Sequence, residues 1–233
     1  STNNGCKWVA RIKTAFSLVL LFLAGCASTQ QEQGQQWQSL LHTEHVLVGM
    51  IWDSQADKYI AADELLTRIE GVSYLLLGEK HDNPDHHALQ LRALDHVLQT
   101  GNVSAVSFEM MSSEQQPLLL DLSLSPQSSL EQINEYLQWD DGGWNWDYYG
   151  PLLYRVIQAD VLINAANISN EEMMQVYGAP TAAEIKGVLD EQTMVALEKD
   201  IDDSHCGMLP ESQFPAMVRV QQARDFAMAS SLA

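Results

Sequence analysis

The sequence predicts an α/β fold in which a mainly parallel sheet is flanked by helices and joined to a smaller helical subdomain. Three apolar runs have the length of a strand that is covered on both faces, residues 72–77, 103–108 and 161–165. Segments with the apolar spacing of helices separate these runs, so strands and helices alternate along the chain. The alternation favours parallel pairing with right-handed crossovers, which brings the carboxyl ends of the strands to one edge of the sheet.

The first helix of this pattern is predicted for residues 84–98, with Asn83 as its cap. Asn83 is a good cap residue, and Pro84 suits the first helical position because that position needs no backbone donor. An apolar stripe then follows one face at spacings of three and four, at Leu91, Leu94 and Leu98. Extending the stripe back by about one turn reaches His87, so we expect His87 to point inward above the end of the first strand.

The elements of the second half are predicted from composition and capping signals. Residues 114–138 are rich in Leu and predict helices, while residues 140–151 predict an aromatic loop that leads into a helix near Pro151. Ser169 and Glu172 have the spacing of a capping box and open a later helix.

The tail of the chain, residues 211–233, has a helical pattern that Pro215 is expected to break early. Neither a glycine cap nor a closing strand follows it, and the chain begins at Ser1 rather than at a methionine. We therefore expect residues 40–233 to form one α/β domain that is incomplete at its C-terminal end.

Composition indicates a globular protein and excludes one class of partner. The 233 residues are 46% hydrophobic, which is enough to bury a substantial core. The formal net charge is -19, whereas binding to a nucleic-acid backbone needs clustered Lys and Arg. We therefore expect no nucleic-acid partner.

The N-terminal residues have the organisation of a secretory signal. Three basic side chains precede an apolar stretch at residues 15–23, namely Lys7, Arg11 and Lys13. That stretch is too short to span a bilayer, as is typical of a cleaved leader. The segment that ends at Cys26, Leu-Ala-Gly-Cys, resembles the lipobox of bacterial lipoproteins. The alternative is a buried apolar N-terminal helix.

The lipobox resemblance implies that residues 1–25 are a signal peptide and that Cys26 becomes an N-terminus carrying acyl chains such as palmitate. Ala27 stands where retention in the inner membrane would usually show Asp, which implies the outer membrane of the bacterial cell envelope. Residues 26–39 are polar and rich in Gln, so they predict a lipidated, flexible tether.

Several titratable side chains follow the first predicted strand. Side chains two residues apart in an extended segment share a face, so Glu79 and His81 are expected to point the same way. His87 approaches from the helix, and Glu109 follows the second predicted strand. Such a set can bind a divalent metal or perform general acid/base chemistry. The alternative is a polar turn that only caps the helix.

Motifs in this order resemble one family, the ChaN-like haem-binding uptake lipoproteins, which are more distantly related to Tiki proteins and erythromycin esterases. The matching segments contain residues 77–87 with Gln90, 108–110, 143–151, 165–167, 205–207 and 221–225. The resemblance implies a non-enzymatic, lipid-anchored protein that binds haem during iron acquisition. It also implies a homodimer that shares haem, and an outer-membrane haem receptor as a partner.

In that family a tyrosine ligates the haem iron and a histidine of the second copy assists. The resemblance implies Tyr148 or Tyr149 as the ligand here, and it leaves Tyr177 open. The other haem-binding candidates are His81, His87 and Trp146.

The second hypothesis is a metal-dependent hydrolase like the Tiki and esterase relatives. Its catalytic residues would be Glu79, His81 and Glu109, and its divalent metal would bind His81, His87 and Glu79. The relatives continue with a strand and a Gly-x-x-His segment, which this sequence does not contain after its last helical stretch.

Overall fold

The computed structural model describes residues 37–120, 128–139, 142–179 and 190–233, all within one compact unit, Trp37–Ala233. The predicted leader, Cys26 and the predicted tether up to residue 36 lie outside the described residues. None of the described helices is long and apolar enough to cross a membrane.

Helices predominate among the described residues. The strands are β1 (Ile51–Asp53), β2 (Lys58–Ile60), β3 (Ala105–Ser112) and β4 (Leu162–Asn167). The helices are α1 (Ala62–Ile69), α2 (Pro84–Gln99), α3 (Gln116–Leu120), α4 (Leu130–Leu137), α5 (Trp146–Gln158), α6 (Asn170–Gly178), α7 (Glu191–Ser204) and α8 (Phe214–Ser230). Short 3-10 turns at Ser113–Gln115 and Glu211–Gln213 precede α3 and α8.

The sheet at the centre of the unit is parallel, as predicted. β3 pairs with β4 in parallel, with Ala105 opposite Leu162 and Phe108 opposite Ala165. The helices α3, α4 and α5 lie between these strands in the chain, which makes this a strand, helix, strand crossover. The antiparallel hairpin of β1 and β2 was not predicted, because its strands have only three residues each.

The first predicted strand, residues 72–77, is not a strand in the structure. Tyr74 is 64% exposed and Leu76 is 77% exposed, so the run is not covered on both faces. A strand is held by hydrogen bonds to a neighbour, and the described residues give this run no paired strand. The prediction that residues 72–77, α2 and β3 form a strand, helix, strand unit is therefore wrong, although α2 and β3 both form.

The N-terminus of α2 follows the predicted capping pattern. The side chain of Asn83 accepts hydrogen bonds from the backbone N–H groups of Asp85 and His86, and Pro84 takes the first helical position. The predicted apolar stripe packs in or against the core. His87 is only 4% exposed, which confirms that it points inward.

The aromatic segment before Pro151 is helical rather than a loop. The helix α5 begins at Trp146, where the Asn145 side chain caps it by accepting from the N–H of Asp147. Pro151 therefore lies inside the helix instead of opening it. As a result, Tyr148 and Tyr149 are neighbours on the first turn of a helix and point in different directions, about 100° apart.

The expected break at Pro215 is also absent, because this proline lies in the first turn of α8, where no backbone donor is needed. The capping box of Ser169 and Glu172 is present in both directions at the start of α6. Both results follow from interactions within one helical turn.

Helix α5 supplies much of the core. Leu153 and Val156 have no exposed surface, and they pack with Met111 of β3 and with Ile133 and Leu137 of α4. Tyr149, one turn before Leu153, is 1% exposed and belongs to the same cluster. The start of α5 therefore lies between the core and the segment that precedes α2.

Asp85 attaches the first described residues to α2. Asp85 is only 5% exposed. Its carboxylate accepts hydrogen bonds from the backbone N–H groups of Gln38 at 2.7 Å and Ser39 at 2.9 Å. Gln38 and Ser39, the last residues of the predicted tether, are therefore hydrogen-bonded to α2. Burial alone would raise the pKa of Asp85, but the hydrogen bonds from Ser39 and Gln38 outweigh it and hold the pKa below its ordinary value.

Replacing Asp85 with alanine is expected to lower the free energy of unfolding by about 1 to 3 kcal/mol at pH 7, because two charge-assisted hydrogen bonds are lost. Since the folded pKa is lowered, this contribution is present above the unfolded pKa and disappears as the pH falls through the folded one. Urea unfolding at neutral and acidic pH measures it. Asp63→Ala, at an exposed first-turn acid of α1, is the control; equal losses in the two variants would contradict the attachment.

Candidate functional site

Glu79 is the centre of the candidate site. Its side chain is 5% exposed, and Oε1 accepts hydrogen bonds from the Tyr149 hydroxyl at 2.9 Å and from Nδ1 of His81 at 2.6 Å. Oε2 is buried and has no hydrogen-bond partner among the described residues. Nε2 of the His87 ring lies 3.8 Å from Oε2, which is beyond hydrogen-bond distance. A buried carboxylate oxygen without a donor is costly, which is a feature of binding sites rather than of stable cores.

Tyr149 is fixed inside this network. Its hydroxyl donates to Glu79, and its ring contacts Trp144 and Trp139 at centroid distances of 5.8 and 6.0 Å. Burial first, and then the hydrogen bond to Glu79 and the charges of Glu79 and Glu109, raise the pKa of Tyr149 well above its ordinary value. The phenol of Tyr149 therefore stays protonated and serves as a donor.

Tyr148 has a different environment although it is the adjacent residue. Its side chain is partly exposed, and its ring stacks on His87 with the centroids 4.6 Å apart and the planes 14° from parallel. Within the described part of the chain, its hydroxyl has no recorded hydrogen-bond partner. Tyr148 thus offers a phenol that is held at its ring and available at its oxygen.

His87 connects the segment before α2 to the helix. Nε2 lies 3.1 Å from the carbonyl oxygen of His81, and Nδ1 lies 3.2 Å from Oε1 of Gln90. Gln90 in turn donates through Nε2 to the carbonyl oxygen of Leu77 at 2.9 Å. Both ring nitrogens of His87 are therefore occupied by groups of the protein.

His81 has one nitrogen occupied and one available. Nδ1 donates to the Glu79 carboxylate, which fixes the ring orientation, and the side chain is 56% exposed. The His81 ring meets the edge of Trp144 at a centroid distance of 4.8 Å. Nε2 of His81 has no recorded partner among the described residues, so it is free to accept a ligand.

The other sequence-predicted residues lie at varying distances from this network. Glu109 lies within β3 rather than after it, and its charge contributes to the raised pKa of Tyr149. Trp146 packs on Trp139 at 5.1 Å, and a Cβ on Gly150 would come within 2.6 Å of the Trp146 ring. Tyr177 is on α6, where its backbone carbonyl accepts from Arg219, and within the described ranges no ring contact joins it to the other tyrosines.

The predicted divalent metal is not supported. Among residues 37–120, 128–139, 142–179 and 190–233, no group of three or more His, Cys, Asp or Glu side chains has the arrangement of a metal site. Each ring nitrogen of His87 lies against an oxygen of the protein, the position that a metal ion would need.

The sequence patterns did not identify two structural parts of the site. Trp139 was not singled out, although its Nε1 donates to the carbonyl oxygen of Trp144 at 2.7 Å and its ring packs behind Tyr149. The bond between Tyr149 and Glu79 joins residues 70 positions apart and has no local signal. The spacing of three between His87 and Gln90 on one helix is a signal that could have indicated their contact.

Comparison with known proteins identifies the family. The family described as haem-binding uptake, Tiki superfamily, ChaN matches residues 65–233 of this chain. The fold is similar to the solved structure of ChaN from Campylobacter jejuni described as cofacial haem binding, with a TM-score of 0.69 and 25% sequence identity. That similarity covers 78% of this chain and 74% of the other. The search of curated proteins gives no match. Because the matched region exceeds half of the sequence and includes every site residue described above, the chain belongs to the ChaN family of haem-binding uptake proteins.

Proposed function

We propose that this protein binds haem for iron uptake and that Tyr148 is the iron ligand. The observation that carries the assignment is the contrast between two adjacent phenols. Tyr149 is buried and donates to Glu79, whereas the hydroxyl of Tyr148 has no partner among the described residues. A tyrosine oxygen is a known axial ligand of haem iron, and it must be unoccupied to serve.

Tyr148 belongs to a group of aromatic rings that suits a porphyrin face, which is itself apolar and aromatic. Tyr148 stacks on His87, which also meets Tyr149. Trp144 contacts both Tyr149 and the His81 ring. The exposed Lys80 side chain supplies a cation in the same segment, although Asp82 lies 3.5 Å from its Nζ. A haem contains two carboxylates for which such a cation is a suitable partner. Bound haem would supply the iron; the protein supplies the phenol, the apolar surface and the charge.

His81 is proposed as the second group of the haem site. Its available Nε2 can face an iron or a bound haem of a second copy, while Nδ1 remains on Glu79. The cofacial haem described for the similar structure suggests two haems face to face, so we propose a homodimer that forms around haem. Sedimentation with and without haem tests this; a monomer at saturating haem would count against it.

The test of the function is a haem titration of the purified protein followed by absorbance. A saturable change that ends in the spectrum of tyrosinate-ligated ferric haem is the expected result. The far-UV circular dichroism of the same sample shows whether the helices are formed. A folded sample that shows no saturable change would contradict haem binding.

We further propose that Cys26 is lipidated and that the protein is anchored in the outer membrane, where a haem receptor would be its partner. The support is the lipobox at residues 23–26 and the Ala that follows it. The acidic surface makes a polybasic contact with anionic lipids unsuitable, so attachment would depend on acyl chains.

Replacing Cys26 with alanine is expected to remove the processed protein from the outer-membrane fraction of bacterial cells. The variant should appear in the soluble fraction or as the larger, unprocessed precursor. The change removes the thiol that would accept the diacylglyceryl group. Immunoblots of fractionated envelopes measure it, with Cys206→Ala as the control because Cys206 is the exposed free thiol of the described residues. A Cys26 variant that reaches the outer-membrane fraction at the processed size would disprove the anchor.

A further inference from the structure

Tyr148 needs a fixed position if it is to bind iron well, yet its hydroxyl has no hydrogen bond to hold it among the described residues. Its recorded ring contact is the stack on His87, at 4.6 Å between centroids and 14° between planes. Immobilising a ligand group before binding removes an entropic cost from the binding step. Tyr148 also packs against the edge of the core, so its orientation depends on ring packing, and the His87 face is the recorded stack.

A protein oxygen faces each of the two nitrogens of the His87 ring, and a neutral imidazole donates a hydrogen bond to one of them. Nε2 is bonded to the carbonyl oxygen of His81, and Nδ1 contacts Gln90, which is itself bonded to the carbonyl oxygen of Leu77. The His87 residue is also buried, with 4% exposed, and its ring meets the Tyr149 ring edge-on at a centroid distance of 4.8 Å. A buried ring with these contacts is confined in orientation, and one of its faces lies against Tyr148.

We propose that His87 is a positioning residue for the iron ligand: its immobilised ring is the platform that fixes Tyr148 in its binding orientation. In this proposal His87 acts through Tyr148 rather than by binding iron itself, since each of its ring nitrogens faces a protein oxygen. This inference rests on the proposed role of Tyr148 and assigns to His87 a role through that residue. It also assigns a role to Gln90, whose side chain lies against Nδ1 of the His87 ring and is bonded to the carbonyl oxygen of Leu77.

A matched pair of substitutions separates the ring stack from the hydrogen bonds. His87→Phe keeps an aromatic face for Tyr148 and loses the bonds to His81 and Gln90, whereas His87→Gln keeps a polar donor and loses the stack. His87→Gln is expected to weaken haem binding by about tenfold and to reduce the tyrosinate absorbance band, while His87→Phe loses less than about threefold. His96→Gln makes the same change elsewhere on α2, at a residue paired with Glu70, and is the control.

A second measurement, the fluorine resonance of Tyr148, needs no haem. It therefore tests the role of His87 separately from the proposed haem binding. The chain has seven tyrosines, and 3-fluorotyrosine incorporated at all of them gives fluorine resonances from which Tyr148→Phe identifies that of Tyr148. A Tyr148 line that is shifted from its urea-denatured position in wild type and His87→Phe, but not in His87→Gln, supports the platform. Failure of the wild type to bind haem would contradict the proposed function and leave this result standing.

Two outcomes would overturn the platform. One is a His87→Gln protein with wild-type affinity, band and fluorine shift; the other is an equal loss in both His87 variants, which would assign the effect to the hydrogen bonds. Circular dichroism checks that each variant is folded. If both variants unfold, the wild-type resonance decides, because a Tyr148 line at the denatured shift in the folded protein contradicts a fixed ring.

Discussion

Tyr148→Phe is expected to weaken haem binding by on the order of 100-fold or more, since even the loss of an outer partner to a metal ligand costs about 10- to 100-fold. The substitution removes one oxygen atom and leaves the stack on His87 intact. The absorbance band of tyrosinate-ligated iron should vanish with it. Haem titrations of wild type and variant, followed by absorbance, measure both effects.

The adjacent residue provides the matched control for this prediction. Tyr149→Phe also removes one hydroxyl, but it breaks the hydrogen bond to the buried Glu79. That change is expected to lower the free energy of unfolding by about 1 to 3 kcal/mol and to leave the tyrosinate band in place. The reverse pattern, with the band lost in Tyr149→Phe and kept in Tyr148→Phe, would show that the ligand assignment is wrong.

Leu153→Ala is expected to lower the free energy of unfolding by about 2 to 5 kcal/mol, the usual cost of such a truncation in a closely packed core. Leu153 has no exposed surface and lies one turn after Tyr149 on α5. The cavity would form directly below the start of the helix that holds both tyrosines. Urea unfolding followed by circular dichroism gives the free energy.

Leu120→Ala is the control for the core prediction, because Leu120 is 72% exposed and the same atoms are removed. Its free energy of unfolding is expected to change by less than about 0.5 kcal/mol. Similar losses in both variants would mean that α5 does not form the centre of the core. Because the substitution leaves the Tyr148 phenol in place, the Leu153 variant should retain the tyrosinate band while folded.

Features decided within one or two helical turns could be predicted from the sequence. The cap at Asn83, the proline after it and the capping box of Ser169 and Glu172 all form as expected, because each depends on neighbours a few residues away. The inward direction of His87 followed from the apolar stripe of the same helix. The family resemblance was also available from the order of short motifs, and the family comparison confirms it.

Features that depend on distant partners could not be predicted in this way. Residues 72–77 have the composition of a buried strand, but a strand forms only where another strand pairs with it. The start of α5 was placed too late because Pro151 indicates a first turn, whereas the Asn145 cap precedes it.

Short motifs and one helical stripe were enough to indicate the family, the inward histidine and the small set of phenols that includes the proposed iron ligand. They did not distinguish Tyr148 from Tyr149, since neighbouring residues on a helix have the same local signals. Only the tertiary structure separates them. The packing of α5 against the core buries Tyr149 and brings its hydroxyl to Glu79, 70 residues earlier, while Tyr148 turns about 100° away onto the face of His87. The chemical difference between two identical side chains is thus set by their long-range partners.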